Sequence, residues 1–139
     1  MKEYWLVPCN VKKFNIIEHL KTNPVIIWKN SFSIQEGDIA YIYLSAPYGE
    51  IKFKCEVIST SVSDKELLDN PYAIVTQPSN NYFSKKVKYM KLRFLKEFPK
   101  DTFKYESLKS HGLGQVQIQA RLDYELRAYV ENVENKITP

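Results

Sequence analysis

Glycine is scarce in this chain, four in 139 residues, and cysteine and histidine number two each. The Gly-rich loops that cradle phosphates are missing, both the P-loop pattern and the dinucleotide fingerprint. No CxxC occurs, and neither Cys9 nor Cys55 has a histidine near it in sequence. A zinc site would need both thiols to converge on His19 and His111 with no supporting spacing. The cysteines therefore read as small buried apolar groups. No Ser or Cys has an adjacent His in a pattern for nucleophilic catalysis. No apolar stretch approaches the roughly 18 residues of a membrane span. The run Tyr4-Trp5-Leu6-Val7 is too short for a signal peptide and is stopped by Pro8. The expectation is a soluble, cytoplasmic protein with no metal and no cofactor.

Aromatic side chains are plentiful instead. Ten Tyr, seven Phe and two Trp make up 14% of the chain. They suit a sheet-rich core, a stacking surface, or both. The length fits one domain, placed at residues 1–136, with 137–139 as a frayed tail. The net charge is only +4, but it is uneven. Residues 81–120 hold nine basic and three acidic side chains, a local +6, while the segments on either side are each −1. A field of that sign attracts phosphates. A Lys-rich solvated strand face would look the same.

Hydrophobic periodicity orders the elements. Tyr4 to Val7 and Val25 to Trp28 read as short buried strands. Between them, helical spacing runs from Phe14 to Lys21, with Asn10 as a candidate N-cap and Asn23-Pro24 as the stop. Alternation in Ile39 to Ala46 and in Ile51 to Val57, around Pro47-Tyr48-Gly49-Glu50, predicts a β-hairpin. Residues 64–84 read as irregular. Lys86 to Phe98 reads as a long strand; a bulge near Tyr89-Met90 would turn Lys88, Lys91 and Arg93 outward as one basic stripe. Tyr105 to His111 reads as a helix ended by Gly112, and Gln115 to Gln119 as a short strand. Leu122, Leu126, Tyr129, Val130 and Val133 mark an amphipathic C-terminal helix. The order indicates an α+β fold or a small barrel with helices at its rim.

An ordered set of motifs runs through the chain: Trp5-Leu6-Val7-Pro8-Cys9-Asn10, Ile27-Trp28-Lys29, Glu36-Gly37-Asp38-Ile39-Ala40-Tyr41-Ile42-Tyr43, Ala46-Pro47 and Ile51-Lys52-Phe53-Lys54. With Lys109-Ser110-His111-Gly112-Leu113 and Arg121-Leu122, this set resembles the EVE-like branch of the PUA-like superfamily. The resemblance implies a mixed β pseudo-barrel of five to six strands with helices in the crossovers. It also implies a concave pocket for one nucleobase, often modified, of the kind found in the reader parts of modification-dependent restriction systems. DNA is the first expected partner and RNA the second, with a nuclease effector domain or protein as a further one.

Reading a stacked base requires flipping it out, at a cost of about a few kcal/mol. Stacking on an aromatic returns about 1–3 kcal/mol per base. The site therefore needs exposed aromatics, groups for the base edge, and cations for phosphates. Trp28 sits where the resemblance puts a pocket tryptophan, although it would equally cap a core; Trp5 is a second wall candidate. Asn10 and Ser45 are candidates for the base edge, though helix capping explains Asn10 as well. Tyr48 in the turn, and Tyr82 and Phe83 in the irregular stretch, are aromatics that could reach a ligand. Lys29, Lys85, Lys86, Lys88, Lys91, Arg93 and Arg121 are the phosphate candidates. Gln115, Gln117 and Gln119 offer amides for base or phosphate, or a polar edge strand. Two other classes stay open. Asp38, Glu50 and Lys52 have a form that could hold Mg²⁺ in a nuclease, and the chain could be a protein-interaction module.

Overall fold

The computed structural model describes residues 2–68 and 88–137. Tyr82, Phe83, Lys85 and Lys86 lie outside the described residues. Six strands and four helices occur among the described ones. The strands are β1 (Tyr4–Cys9), β2 (Val25–Lys29), β3 (Ile39–Leu44), β4 (Glu50–Ser59), β5 (Tyr89–Glu97) and β6 (Ala120–Arg121). The helices are α1 (Ile16–Leu20), α2 (Asp64–Leu68), α3 (Tyr105–Lys109) and α4 (Tyr124–Ile137). The strands form one mixed sheet in the order β2-β5-β4-β3-β1-β6. Only β1 and β3 pair in parallel; the other pairs are antiparallel. The sheet is not closed, so β2 and β6 are its two edges and the expected pseudo-barrel stays open at that seam.

The predicted hairpin forms β3 and β4, with Ile39 opposite Glu56 and Leu44 opposite Glu50. A register shift follows Ile42, where Ile42 faces Phe53 but Tyr43 faces Ile51. The extra residue, Lys52, sends Ile51 to the opposite face from Phe53, Cys55 and Val57. Alternation alone had placed all four together. Every residue of β3 is buried, because both faces of the sheet are covered.

One face carries Trp5, Val7, Ile26, Trp28, Ile42 and Phe53, under the segment that leads into α1. Both thiols lie here, and burial pushes Cys9 and Cys55 up to about 12. The other face carries Leu6, Tyr41, Ile51, Phe98 and Phe103 beneath α3 and α4. Leu126 and Val130 point into it, on the stripe predicted for that helix. Asp123 caps α4 by accepting from Leu126 N–H at 2.9 Å. Gly112 ends the α3 segment with φ +106°, and Leu113 N–H returns to Leu108 C=O at 3.0 Å.

Four local expectations change. Helix α1 is capped by Asn15, whose Oδ1 accepts from Glu18 N–H, not by Asn10, whose Oδ1 binds Lys12 N–H in a tight turn before it. Helix α2 occupies part of the stretch read as irregular. Ser63 Oγ accepts from Glu66 N–H while Glu66 Oε1 accepts from Ser63 N–H, a capping box that the sequence spells as Ser-x-x-Glu. Residues 115–119 do not form a strand; pairing is confined to β6, opposite Trp5 and Leu6. The bulges of β4 and β5 fall between Lys54 and Cys55 and between Val57 and Ser59, not at Tyr89-Met90. Met90 and Tyr89 therefore face opposite ways, Met90 into the first core and Tyr89 against Ile27 and Leu67.

Candidate functional site

The open seam of the sheet contains a cavity of about 870 Å³. Its walls are four chain segments: the end of β1 with the turn after it, residues 28–32, the end of β3 with Ser45 and Ala46, and residues 116–119. The volume suits a small-molecule or nucleotide-sized ligand. Asn10, Trp28, Lys29 and Ser45, all singled out from the sequence, line it together.

Trp28 is 6% exposed, so most of its indole is core, packed on Phe14 at 5.4 Å between ring centroids. It is floor rather than platform. Trp5 does not line the cavity. It lies behind the wall, where Phe32 stacks on it with centroids 6.4 Å apart and planes 15° apart. Phe32 lines the cavity and is 46% exposed. Behind this pair stands Asp38, which is buried and accepts three hydrogen bonds. Trp5 Nε1–H donates to it at 2.9 Å, Gln35 N–H at 2.9 Å and Glu3 N–H at 3.0 Å. A buried carboxylate satisfied this way is a structural hub, and it fixes Trp5 and hence the inner face of Phe32.

The polar groups are arranged around this aromatic wall. Asn30 is buried and folds the 30–34 loop. Its Nδ2–H donates to Ile34 C=O at 2.9 Å, and its Oδ1 accepts from Ile34 N–H at 3.3 Å. Ser45 Oγ accepts weakly from Val11 N–H at 3.4 Å, which leaves the hydroxyl hydrogen for a ligand. Lys13 and Gln117 stand exposed at the rim and Lys29 is half-buried.

Other candidates sit elsewhere. Tyr48 is exposed in the β3–β4 turn and is not part of the cavity lining. Lys91 and Arg93 share the face of Tyr89, opposite Trp28 and Met90, and pair with Glu66 and Glu56. The basic stripe is thus turned away from the cavity and partly neutralised. Lys88 is exposed just before β5, and its carbonyl accepts from Asn30 N–H at 2.9 Å. Arg121 is on β6, 3.8 Å from Glu3. Asp38, Glu50 and Lys52 do not meet. Asp38 and Glu50 stand at opposite ends of the hairpin, roughly 20 Å apart at the rise of a strand. Glu50 is buried and binds Asp101 N–H at 2.8 Å, and Lys52 donates to Phe98 C=O at 2.9 Å. Among the described residues no cluster of His, Cys, Asp or Glu could hold a metal ion.

Phe32 and Ile118 were missed. Each is a large apolar side chain in a polar stretch, Asn30-Ser31-Phe32-Ser33 and Gln115 to Gln119, and that isolation is the signal that marks them.

No family model matches the sequence, and no curated protein does. Solved structures match along nearly the whole chain. A hypothetical protein from Leishmania major superposes with TM-score 0.69 at 18% identity, covering 99% of this chain and 98% of that one. Human THYN1 protein, in complex with 5-methylcytosine containing DNA, gives TM-score 0.65 at 16% identity, with 99% of each chain covered. ASCH from Zymomonas mobilis gives TM-score 0.63 at 13% identity, with 94% of each covered. The architecture is the PUA-like α+β fold that the resemblance to EVE-like domains implies.

Proposed function

We propose that the protein is a nucleic-acid-binding module that takes one nucleobase, flipped out of DNA, into the cavity at the open seam. The observation that carries this reading is the half-exposed Phe32 ring, held from behind by Trp5 and Asp38 on the cavity wall. A large aromatic left half in water forgoes burial, and a flat π-face in a cavity is a stacking platform for a base. Asn10, Ser45 and Gln117 supply groups for the base edge, and Lys13 and Lys29 supply charge for the flanking phosphates. The likeness in fold to a protein bound to 5-methylcytosine DNA supports a modified cytosine in duplex DNA as the first ligand, with RNA second. In this reading the chemistry that follows recognition belongs to an effector, as in modification-dependent restriction. The chain itself reads without cutting.

The test is a binding panel of duplex and single-stranded oligonucleotides with 5-methylcytosine, 5-hydroxymethylcytosine, N6-methyladenine or no modification, plus RNA. We expect tighter binding to one modified DNA, lost by roughly 5- to 100-fold in Phe32→Ala, the size of one stacked base. Equal affinity across the panel would defeat the reading.

A further inference from the structure

Two walls of the cavity come from the end of β2 with the residues after it and from residues 116–119, which lead into β6; β2 and β6 are the two edges of the sheet and share no ladder hydrogen bond. Through the sheet they are connected only by way of β5, β4, β3 and β1. Each strand pair contributes its own twist, and five pairs in series separate the two edges. Among the described residues, the side chain of Gln119 hydrogen-bonds directly across the seam. Gln119 Nε2–H donates to Lys29 C=O at 2.7 Å, and its Oε1 accepts from Ser31 N–H at 3.0 Å. These two backbone groups flank Asn30, as the i−1 carbonyl and the i+1 amide. A neighbouring parallel strand would engage the same pair of groups. The carboxamide therefore supplies the donor and the acceptor that one residue of a neighbouring parallel strand would present. It is 6% exposed, and only one orientation of the amide satisfies both bonds. Gln119 adjoins Ile118, and Lys29 to Ser31 adjoin Phe32, so the tie fixes the separation of the two apolar rims.

We propose that Gln119 is a positioning residue that sets the width of the base slot and so determines which base the site accepts. The proposal rests on the base-reading function given above. An apolar slot that fits to within a methyl group discriminates by roughly 10- to 200-fold. A side chain that couples the walls governs that discrimination more than it governs overall attraction, which Lys13 and Lys29 supply from the rim. Gln119→Met keeps the length and apolar stem but can neither donate the N–H nor accept as an amide. Gln119→Glu keeps the acceptor for Ser31 N–H and sets a carboxylate against Lys29 C=O.

The experiment uses the full chain and the duplexes of the same panel. In Gln119→Met we expect the ratio of affinities for preferred and unmodified duplex to collapse by about tenfold or more. Binding to unmodified duplex stays within about threefold, since it rests on phosphate contacts. Without any DNA, hydrogen exchange at Ser31 N–H should speed up by about tenfold or more while the amides of β3 and β4 are unchanged. Gln119→Glu should fall between wild type and Gln119→Met in Ser31 exchange. Circular dichroism and melting confirm that each variant is folded. An unchanged affinity ratio, or unchanged exchange at Ser31, overturns the proposal. A wild type with no preferred base defeats the base-reading function instead, while the exchange arm still reports whether the tie holds the walls.

Discussion

Beneath α3 and α4, the sheet closes over Tyr41, Phe98, Phe103, Leu126 and Val130, all nearly inaccessible. Even the charge there is satisfied: Glu134 accepts from Tyr41 OH at 3.2 Å and pairs with Lys54 at 2.8 Å and Lys96 at 3.1 Å. On the opposite face, the core around Trp28 and Phe14 ends in an opening of about 870 Å³ ringed by the half-exposed Phe32 and Ile118. One sheet thus has a face whose buried carboxylate is paired beneath two helices and a face that ends in an open cavity. The difference teaches where to look for function. A packed interior needs no further explanation, whereas Phe32, stacked on Trp5 yet half-exposed in a cavity wall, is where we place the ligand.

The comparison breaks if the two faces respond alike to truncation. The largest effect is expected from Phe98→Ala on the helix-covered face, which should cost about 3–5 kcal/mol in denaturant unfolding. Binding per folded molecule should be unchanged. Glu134→Gln comes next, at about 1.5–3 kcal/mol, the range for hydrogen bonds to a charged group. It also carries a pH signature. Burial works to raise the Glu134 carboxyl, but hydrogen bonds and charge from Lys54 and Lys96 outweigh it and hold the group below its usual range. A carboxyl depressed in the folded state contributes stability above its unfolded pKa and loses it as pH falls through the folded value. Melting temperature followed from pH 6 to pH 2 should therefore fall less steeply in Glu134→Gln than in wild type.

Phe32→Ala sharpens the comparison from the other side. A half-exposed ring should change unfolding free energy by only about 1 kcal/mol or less, while modified-base affinity drops as stated above. The smallest effect separates the charges. Lys13→Ala should reduce the salt slope of DNA binding by about one, as a lost phosphate contact does. Arg93→Ala, on the far face and paired with Glu56, should leave it unchanged. Equal slopes in both variants would move the phosphate path away from the cavity.

Much of the scaffold was legible because it rests on short-range rules. Alternation found β3 and β4, the stripe from Leu122 to Val133 found α4, and Gly112 marked the end of the α3 segment. Of the candidate site, Asn10, Trp28 and Lys29 were legible through their places in motifs that resemble a family, and Ser45 through its place at the end of a hairpin strand. Phe32 was overlooked because a lone aromatic between serines carries no periodicity. The basic stripe misled for the opposite reason. Lys91 and Arg93 lie together in sequence, but their partners Glu66 and Glu56 come from α2 and β4, and strand parity turns both away from the cavity.

The sequence by itself determined most of the elements, the apolar stripe of α4 and the buried state of the two thiols, since these follow from the period of hydrophobic residues and the chemistry of single side chains. Only the tertiary structure decided that the sheet stays open between β2 and β6, and that a cavity fills the gap. It alone decided that Gln119 bonds to backbone 88 and 90 positions away. The physical reason is range. A hydrogen bond or a stacked ring acts over a few ångströms, and which groups come that close is set by how the chain closes its long loops.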